Sequence, residues 1–176
     1  MRREQMVMVM AGMVVGWLAP SAWADTGKAV IRGTAEESSV RGAATLADTA
    51  GGLQVTVQVS GVLQGTHGLH IHQYGECGDA GNAAGGHFNP DKVPHGFLPS
   101  DGLTKAHPGD MGNIEVGPDG TGSVTVVLPG VTLSGGTYSV AGRAIVLHEK
   151  TDDFGQPTGN AGARVGCGAI LLTKSP

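Results

Sequence analysis

Six of the seven histidines in this 176-residue chain fall between residues 67 and 107, and imidazole is a ligand that suits both zinc and cupric ion. His70 and His72 flank Ile71. In a strand, side chains two apart share a face, so both imidazoles aim at one point while Leu69 and Ile71 turn away. His67 lies on the parity of Leu69 and Ile71 and is expected to be a packed histidine bonded to backbone, not a ligand. His87, His95 and His107 follow, and His107-Pro108-Gly109-Asp110 sets a carboxylate three residues after an imidazole across a Pro-Gly turn. Taken singly, each of these is an ordinary surface or cleft histidine. Gathered in one region, and with His148 able to return to it from another strand, they predict metal. Three imidazoles and a carboxylate make a closed tetrahedral zinc site, imidazoles near one plane suit cupric ion, and the count allows both if one ligand is shared.

The elements that must position these residues read as strands. Leu53, Val55 and Val57 alternate with Gln54, Thr56 and Gln58, the signature of a half-buried strand. Further strands are predicted over 28–32, 43–47, 68–73, 112–116, 122–128, 139–148 and 163–172, separated by turn signals such as Gly51-Gly52 and Pro118-Asp119-Gly120. No window carries a sustained helical period. About eight short antiparallel strands predict an all-β Greek-key sandwich or barrel. Two segments, 74–113 and 150–163, are too long for hairpin turns, and long loops in compact domains are usually functional.

The N-terminus is of another character. Arg2 and Arg3 precede an apolar stretch from Met6 to Leu18, and Ala22-Trp23-Ala24 gives an A-x-A pattern before Asp25. This reads as a secretory signal peptide over residues 1–24, leaving residues 25–176 as one domain; the stretch is short for a membrane anchor. Without Arg2, Arg3 and Glu4 the 11 basic and 15 acidic residues become 9 and 14, a net charge of −5. Such a domain is a poor partner for nucleic acid, whose backbone calls for clustered positive charge. Export also places Cys77 and Cys167 in an oxidising compartment, so they are expected to pair. The loop so closed gives about 4–5 kcal/mol in the chain-entropy account.

Several motifs in order are similar to those of the copper/zinc superoxide dismutases: Gly68-Leu-His-Ile-His-Gln-Tyr-Gly, Gly85-Gly-His-Phe-Asn-Pro, His107-Pro-Gly-Asp-Met-Gly-Asn, Val146-Leu-His-Glu-Lys-Thr-Asp-Asp and Gly159-Asn-Ala-Gly-Ala-Arg-Val-Gly-Cys-Gly. The resemblance implies that His70, His72, His87 and His148 bind copper, and that His87 bridges to a zinc held also by His95, His107 and Asp110. It implies that Asp152 hydrogen-bonds a ligand of each metal and that Arg164 attracts and orients the anion. On residues alone, Asp152 has the alternative of an exposed loop acid, and Arg164 reads equally as a surface ion-pair partner. The implied reaction converts two superoxide anions and two protons to dioxygen and hydrogen peroxide by alternate reduction and oxidation of copper, with zinc structural and His87 a source of one proton.

The chain departs from the resembled pattern in two places. Residues 153–164 contain no lysine or glutamate, so steering of superoxide rests mainly on Arg164, with Lys150 or Lys105 as possible helpers. Cys77 lies five residues past His72, which resembles exported bacterial members and predicts a periplasmic or secreted protein without a membrane anchor. Homodimers are common in the resembled family. The rival readings are an exported copper/zinc carrier on the same fold, and an adhesion sandwich, which leaves the histidines without a purpose.

Overall fold

The structure is a computed structural model and describes residues 25–173; the expected signal peptide lies outside them. Eight strands form: β1 (Thr26–Gly33), β2 (Arg41–Thr49), β3 (Gly52–Ser60), β4 (Gly65–His72), β5 (Asp110–Val116), β6 (Gly122–Leu128), β7 (Ala144–His148) and β8 (Arg164–Thr173). They close into a barrel in the order β1-β2-β3-β6-β5-β4-β7-β8, every pairing antiparallel. The expected all-β Greek-key architecture is therefore the one observed. β3 turns to β6 rather than to its neighbour in sequence, and β4 enters between β5 and β7.

Alternation builds the interior. Leu53, Val55 and Val57 of β3 are fully buried while Gln54 and Gln58 face outward. They meet Ile31, Leu69, Ile71, Ile114, Leu128, Ile145, Leu147 and Ile170 in one cluster. Burying each such side chain contributes about 1.5–3 kcal/mol. Along β4 the alternation of exposure is lost from His67 onward, every residue to His72 being buried. Leu69 and Ile71 fill the core, while the outer face that carries His70 and His72 is covered by the chain around Gly85 and Asp152.

Most strand ends fall one to three residues from the expected bounds, and two differences have a clear cause in the backbone. The strand expected over 139–148 is β7, Ala144–His148 only. Ahead of it the chain turns, Gly142 taking φ 80° and Arg143 N–H bonding the Val140 carbonyl, a tight turn that ends the ladder there. The segment expected to be free of strand up to residue 113 instead enters β5 at Asp110, with Gly112 at φ 83° just inside. That long loop also holds a 3₁₀ turn at Asn82–Ala84 and a one-turn helix, α1 (Leu98–Asp101). One turn is too short to give a period in the sequence. Cys77 and Cys167 are joined, which pins the loop to β8. No helix among the described residues is long and apolar enough to cross a membrane.

Candidate metal centre

The barrel brings seven side chains together on the outer face of β4 and β7. His70 and His72 come from β4, His148 from the end of β7 and Asp110 from the start of β5. His87, His95 and His107 come from the loop between β4 and β5, and His72 and His87 face each other in an isolated antiparallel bridge. All seven are buried.

Hydrogen bonds decide which nitrogen each ring presents. His72 Nδ1 donates to the Gly85 carbonyl (2.9 Å) and His148 Nδ1 to the Gly162 carbonyl (3.3 Å), leaving their Nε2 atoms 3.3 Å apart. His70 Nε2 donates to Asp152 Oδ2 (2.8 Å), which leaves its buried Nδ1 with no partner. With His87 these rings form one group, their ligand atoms all within 4.8 Å of one another. The second group converges on Asp110. Nδ1 of His87, His95 and His107 lie 3.1, 2.9 and 3.0 Å from its carboxylate oxygens. The His95 contact lacks hydrogen-bond geometry, so His95 Nδ1 is also a buried nitrogen without a partner. His87 belongs to both groups. A buried polar atom left unpaired costs about 1–3 kcal/mol, and two such nitrogens aimed into clusters of further ligand atoms fit metal ions. Four imidazoles suit copper; three imidazoles and a carboxylate suit zinc.

Asp152 joins the groups. Its Oδ2 accepts from His70 and its Oδ1 from His95 (2.8 and 2.9 Å), so one carboxylate orients a ring of each. His70, His95 and Asp152 also stand close enough to be read as a third set of ligands. The carboxylate, however, meets the Nε2 edges of both rings, and their unpaired Nδ1 atoms lie on the opposite edges. Two residues with no signal of their own in the sequence hold this arrangement. Asn113 donates to the Asp152 carbonyl (3.0 Å) and accepts from its N–H (2.8 Å). Gln156 likewise donates to the His95 carbonyl (2.8 Å) and accepts from the His95 N–H (3.0 Å). At Gly159, φ is 77° and an added Cβ would lie 1.8 Å from Asp152 Oδ1, so the chain passes there only as glycine. His67 takes the structural role expected of it, facing the carbonyls of His148 and Leu63 at 3.0 and 2.9 Å.

The two groups differ in their affinity for protons. Burial, helped by the charge of neighbouring imidazoles, lowers His72 to about 2 and His148 to about 3. Burial also lowers His87, to about 4, against the pull of Asp110. Burial would lower His95 too, but its contacts with Asp110 and Asp152 prevail and raise it to about 9. Both carboxylates are held below their usual range although burial acts to raise them, because imidazoles bond them: His107, His87 and His95 at Asp110, His70 and His95 at Asp152.

A cavity of about 360 Å³ opens over the first group, lined by His72, His87 and His148 together with Thr158, Asn160 and Arg164. Arg164 pairs in register with His148 across β7 and β8. Its Nη1 donates to the Gly81 carbonyl and its Nη2 to the Gly85 carbonyl, both at 2.6 Å. Gly85 oxygen thus serves Arg164 and His72 together.

A closed antiparallel barrel bearing two adjoining metal-ligand clusters with one imidazole in common defines a barrel metalloprotein with a paired centre. The family model described as copper/zinc superoxide dismutase (SODC) matches residues 40–170. An extracellular superoxide dismutase [Cu-Zn] of Caenorhabditis elegans is 45% identical over 125 residues, covering 67% of this chain and 55% of that protein. Superoxide dismutase [Cu-Zn] 2 of Mesembryanthemum crystallinum is 43% identical over 135 residues, covering 73% of this chain and 84% of that protein. The crystal structure of the clock protein EA4 superposes with a TM-score of 0.75 at 32% identity, over 92% of this chain and 100% of that one. The chain belongs to the copper/zinc superoxide dismutase family, and copper and zinc are the metals its two clusters fit.

Proposed function

We propose that this chain disproportionates superoxide, with His70, His72, His87 and His148 holding copper and His87, His95, His107 and Asp110 holding zinc. The observation that carries the reading is the cavity over the first cluster, which is lined both by three of its imidazoles and by Arg164. Copper supplies one-electron exchange with the substrate when bound, whereas zinc is redox-inert. The remaining work belongs to the chain. Arg164 has five N–H donors in a rigid fork; its bonds to Gly81 and Gly85 fix that fork and leave other donors for an anion in the cavity. His87 has Nδ1 toward Asp110, so its Nε2 is the nitrogen from which a proton passes to the reduced substrate. Asp152 fixes the rings of His70 and His95. The balance is two superoxide anions and two protons giving one dioxygen and one hydrogen peroxide.

The proposal includes export, with residues 1–24 as the leader and residues 25–176 as the working domain, to a periplasm or the exterior. The Cys77–Cys167 bridge supports an oxidising location, and the short spacing from His72 to Cys77 supports a bacterial-type member. The deciding experiment is to load the protein with copper and zinc and follow superoxide decay. Decay much faster than that of Arg164→Ala is expected; equal rates would leave a copper/zinc carrier on the same fold.

A further inference from the structure

Arg143 stands in the turn before β7, and its contacts converge on the chain beside two histidines of the first cluster. Its Nη1 donates to the Gln73 carbonyl (2.8 Å), its Nε donates to the Ser139 carbonyl (2.9 Å), and its guanidinium carbon lies 3.5 Å above the Phe88 ring. Gln73 directly follows His72, and Phe88 directly follows His87. These two stretches form a small antiparallel ladder: Phe88 N–H bonds the Ile71 carbonyl (2.8 Å), Gln73 N–H the Gly86 carbonyl (3.0 Å) and Tyr74 N–H the Ala84 carbonyl (3.0 Å). A two-stranded ladder is marginal alone. Arg143 grips one of its strands by a hydrogen bond and the other by stacking on a ring.

The grip is itself anchored. Arg143 N–H bonds the Val140 carbonyl, and Ile170 N–H of β8 bonds the Arg143 carbonyl at 2.8 Å. The loop beyond His72 lies hard against this turn, since a Cβ at Gly75 would come 2.6 Å from the Gly142 carbonyl oxygen. Lysine cannot replace the fork, because one ammonium does not bond two carbonyls while a flat cation lies on a ring. None of the hydrogen bonds of Arg143 reaches His95, His107 or Asp110, and Nδ1 of His87 is set by Asp110.

We infer that Arg143 is a positioning residue whose clamp on Gln73 and Phe88 sets the spacing of His72 and His87, ring centroids 5.0 Å apart, and thereby the geometry of bound copper more than that of zinc, which shares only His87 with it. It touches neither metal nor substrate. The inference rests on the assignment of copper to the four-histidine cluster.

The test uses the copper- and zinc-loaded protein and reads two quantities that do not depend on dismutation. They are the parallel hyperfine splitting of the cupric electron paramagnetic resonance, and copper and zinc affinities by chelator competition. Arg143→Met is expected to weaken copper about tenfold to a hundredfold and shift the splitting, with zinc affinity held within about twofold. Arg143→Lys restores part of the copper affinity. Gly75→Ala, which pushes the loop off the clamp from the other side, reproduces the spectral shift; should Arg143→Met not fold, Arg143→Lys and Gly75→Ala carry the test. Unchanged copper spectra in these variants, or equal losses of copper and zinc, overturn the inference. A His72→Ala control that keeps full copper affinity shows that the cluster assignment is at fault, and the inference falls with it.

Discussion

The residue that sets the two clusters apart is His95. Its imidazole is raised to about 9, while His72, His87 and His148 are lowered to about 2, 4 and 3. The sign of the consequence follows directly. Between pH 5 and 8 those three rings are already neutral, so they add no slope to copper affinity. His95 holds an extra proton up to its raised value, and zinc must displace it. Zinc affinity is expected to rise about tenfold per pH unit from 6 to 9 with release of one proton, measured by chelator competition in a pH series; a flat zinc profile would show that zinc displaces no proton from His95. His148→Ala is expected to lower copper binding and leave zinc, because His148 is in the first cluster only. Equal loss of both metals would mean that the clusters are misassigned.

At the scale of elements, the loop from Lys150 to Ala163 is fastened at several points. Asp152 is paired with Asn113, Gln156 with His95, and Phe154 stacks on His95 with ring centroids 6.4 Å apart. Gln156→Ala is expected to reduce zinc affinity about tenfold to a hundredfold with a smaller change in copper, read by the same competition assay. Gly159→Ala places a methyl group into Asp152 and forces a left-handed backbone on alanine; it is expected to lower stability by at least about 1–3 kcal/mol in denaturant titration. The seven cluster residues and Arg164 were legible because strand parity and ordered motifs expose them. Asn113, Gln156 and Arg143 were not. Each acts on the backbone of a residue 39, 61 or 70 positions away, and asparagine, glutamine and arginine are ordinary surface residues when no partner is in view. The start of β7 is hidden for a related reason: the apolar Val140 and Ala141 precede its apolar run, and the turn between them shows only in the φ of Gly142 and the bond from Arg143 N–H to the Val140 carbonyl. His67 was placed correctly from parity alone.

The whole domain is acidic, while residues 153–164 on the cavity side contain no lysine or glutamate. On the proposed function, attraction of an anion falls mainly to Arg164, which lines the cavity itself, with Lys150 or Lys105 as helpers. The rate of superoxide decay is expected to fall only weakly as ionic strength rises, and Arg164→Gln to remove most of that slope, since screening acts on charge beyond about 8–10 Å. A steep salt dependence that survives this substitution would place the guiding charge elsewhere. Reduction and alkylation of Cys77 and Cys167 is expected to lower stability by about 2–5 kcal/mol in the metal-loaded protein.

The ring of strands is sealed where β1 meets β8, from Thr26↔Thr173 to Gly33↔Gly166. Residues 164–173 thus cover both open edges at once, because β8 also pairs with β7. A chain emerging from a ribosome or threading through a membrane cannot shut its barrel until this stretch is free. The same stretch delivers Arg164 and Cys167. Closure of the wall therefore also brings Arg164 beside His148 and Cys167 up to Cys77, so one strand pairing sets the wall, the place of the guanidinium and the site of the covalent tie.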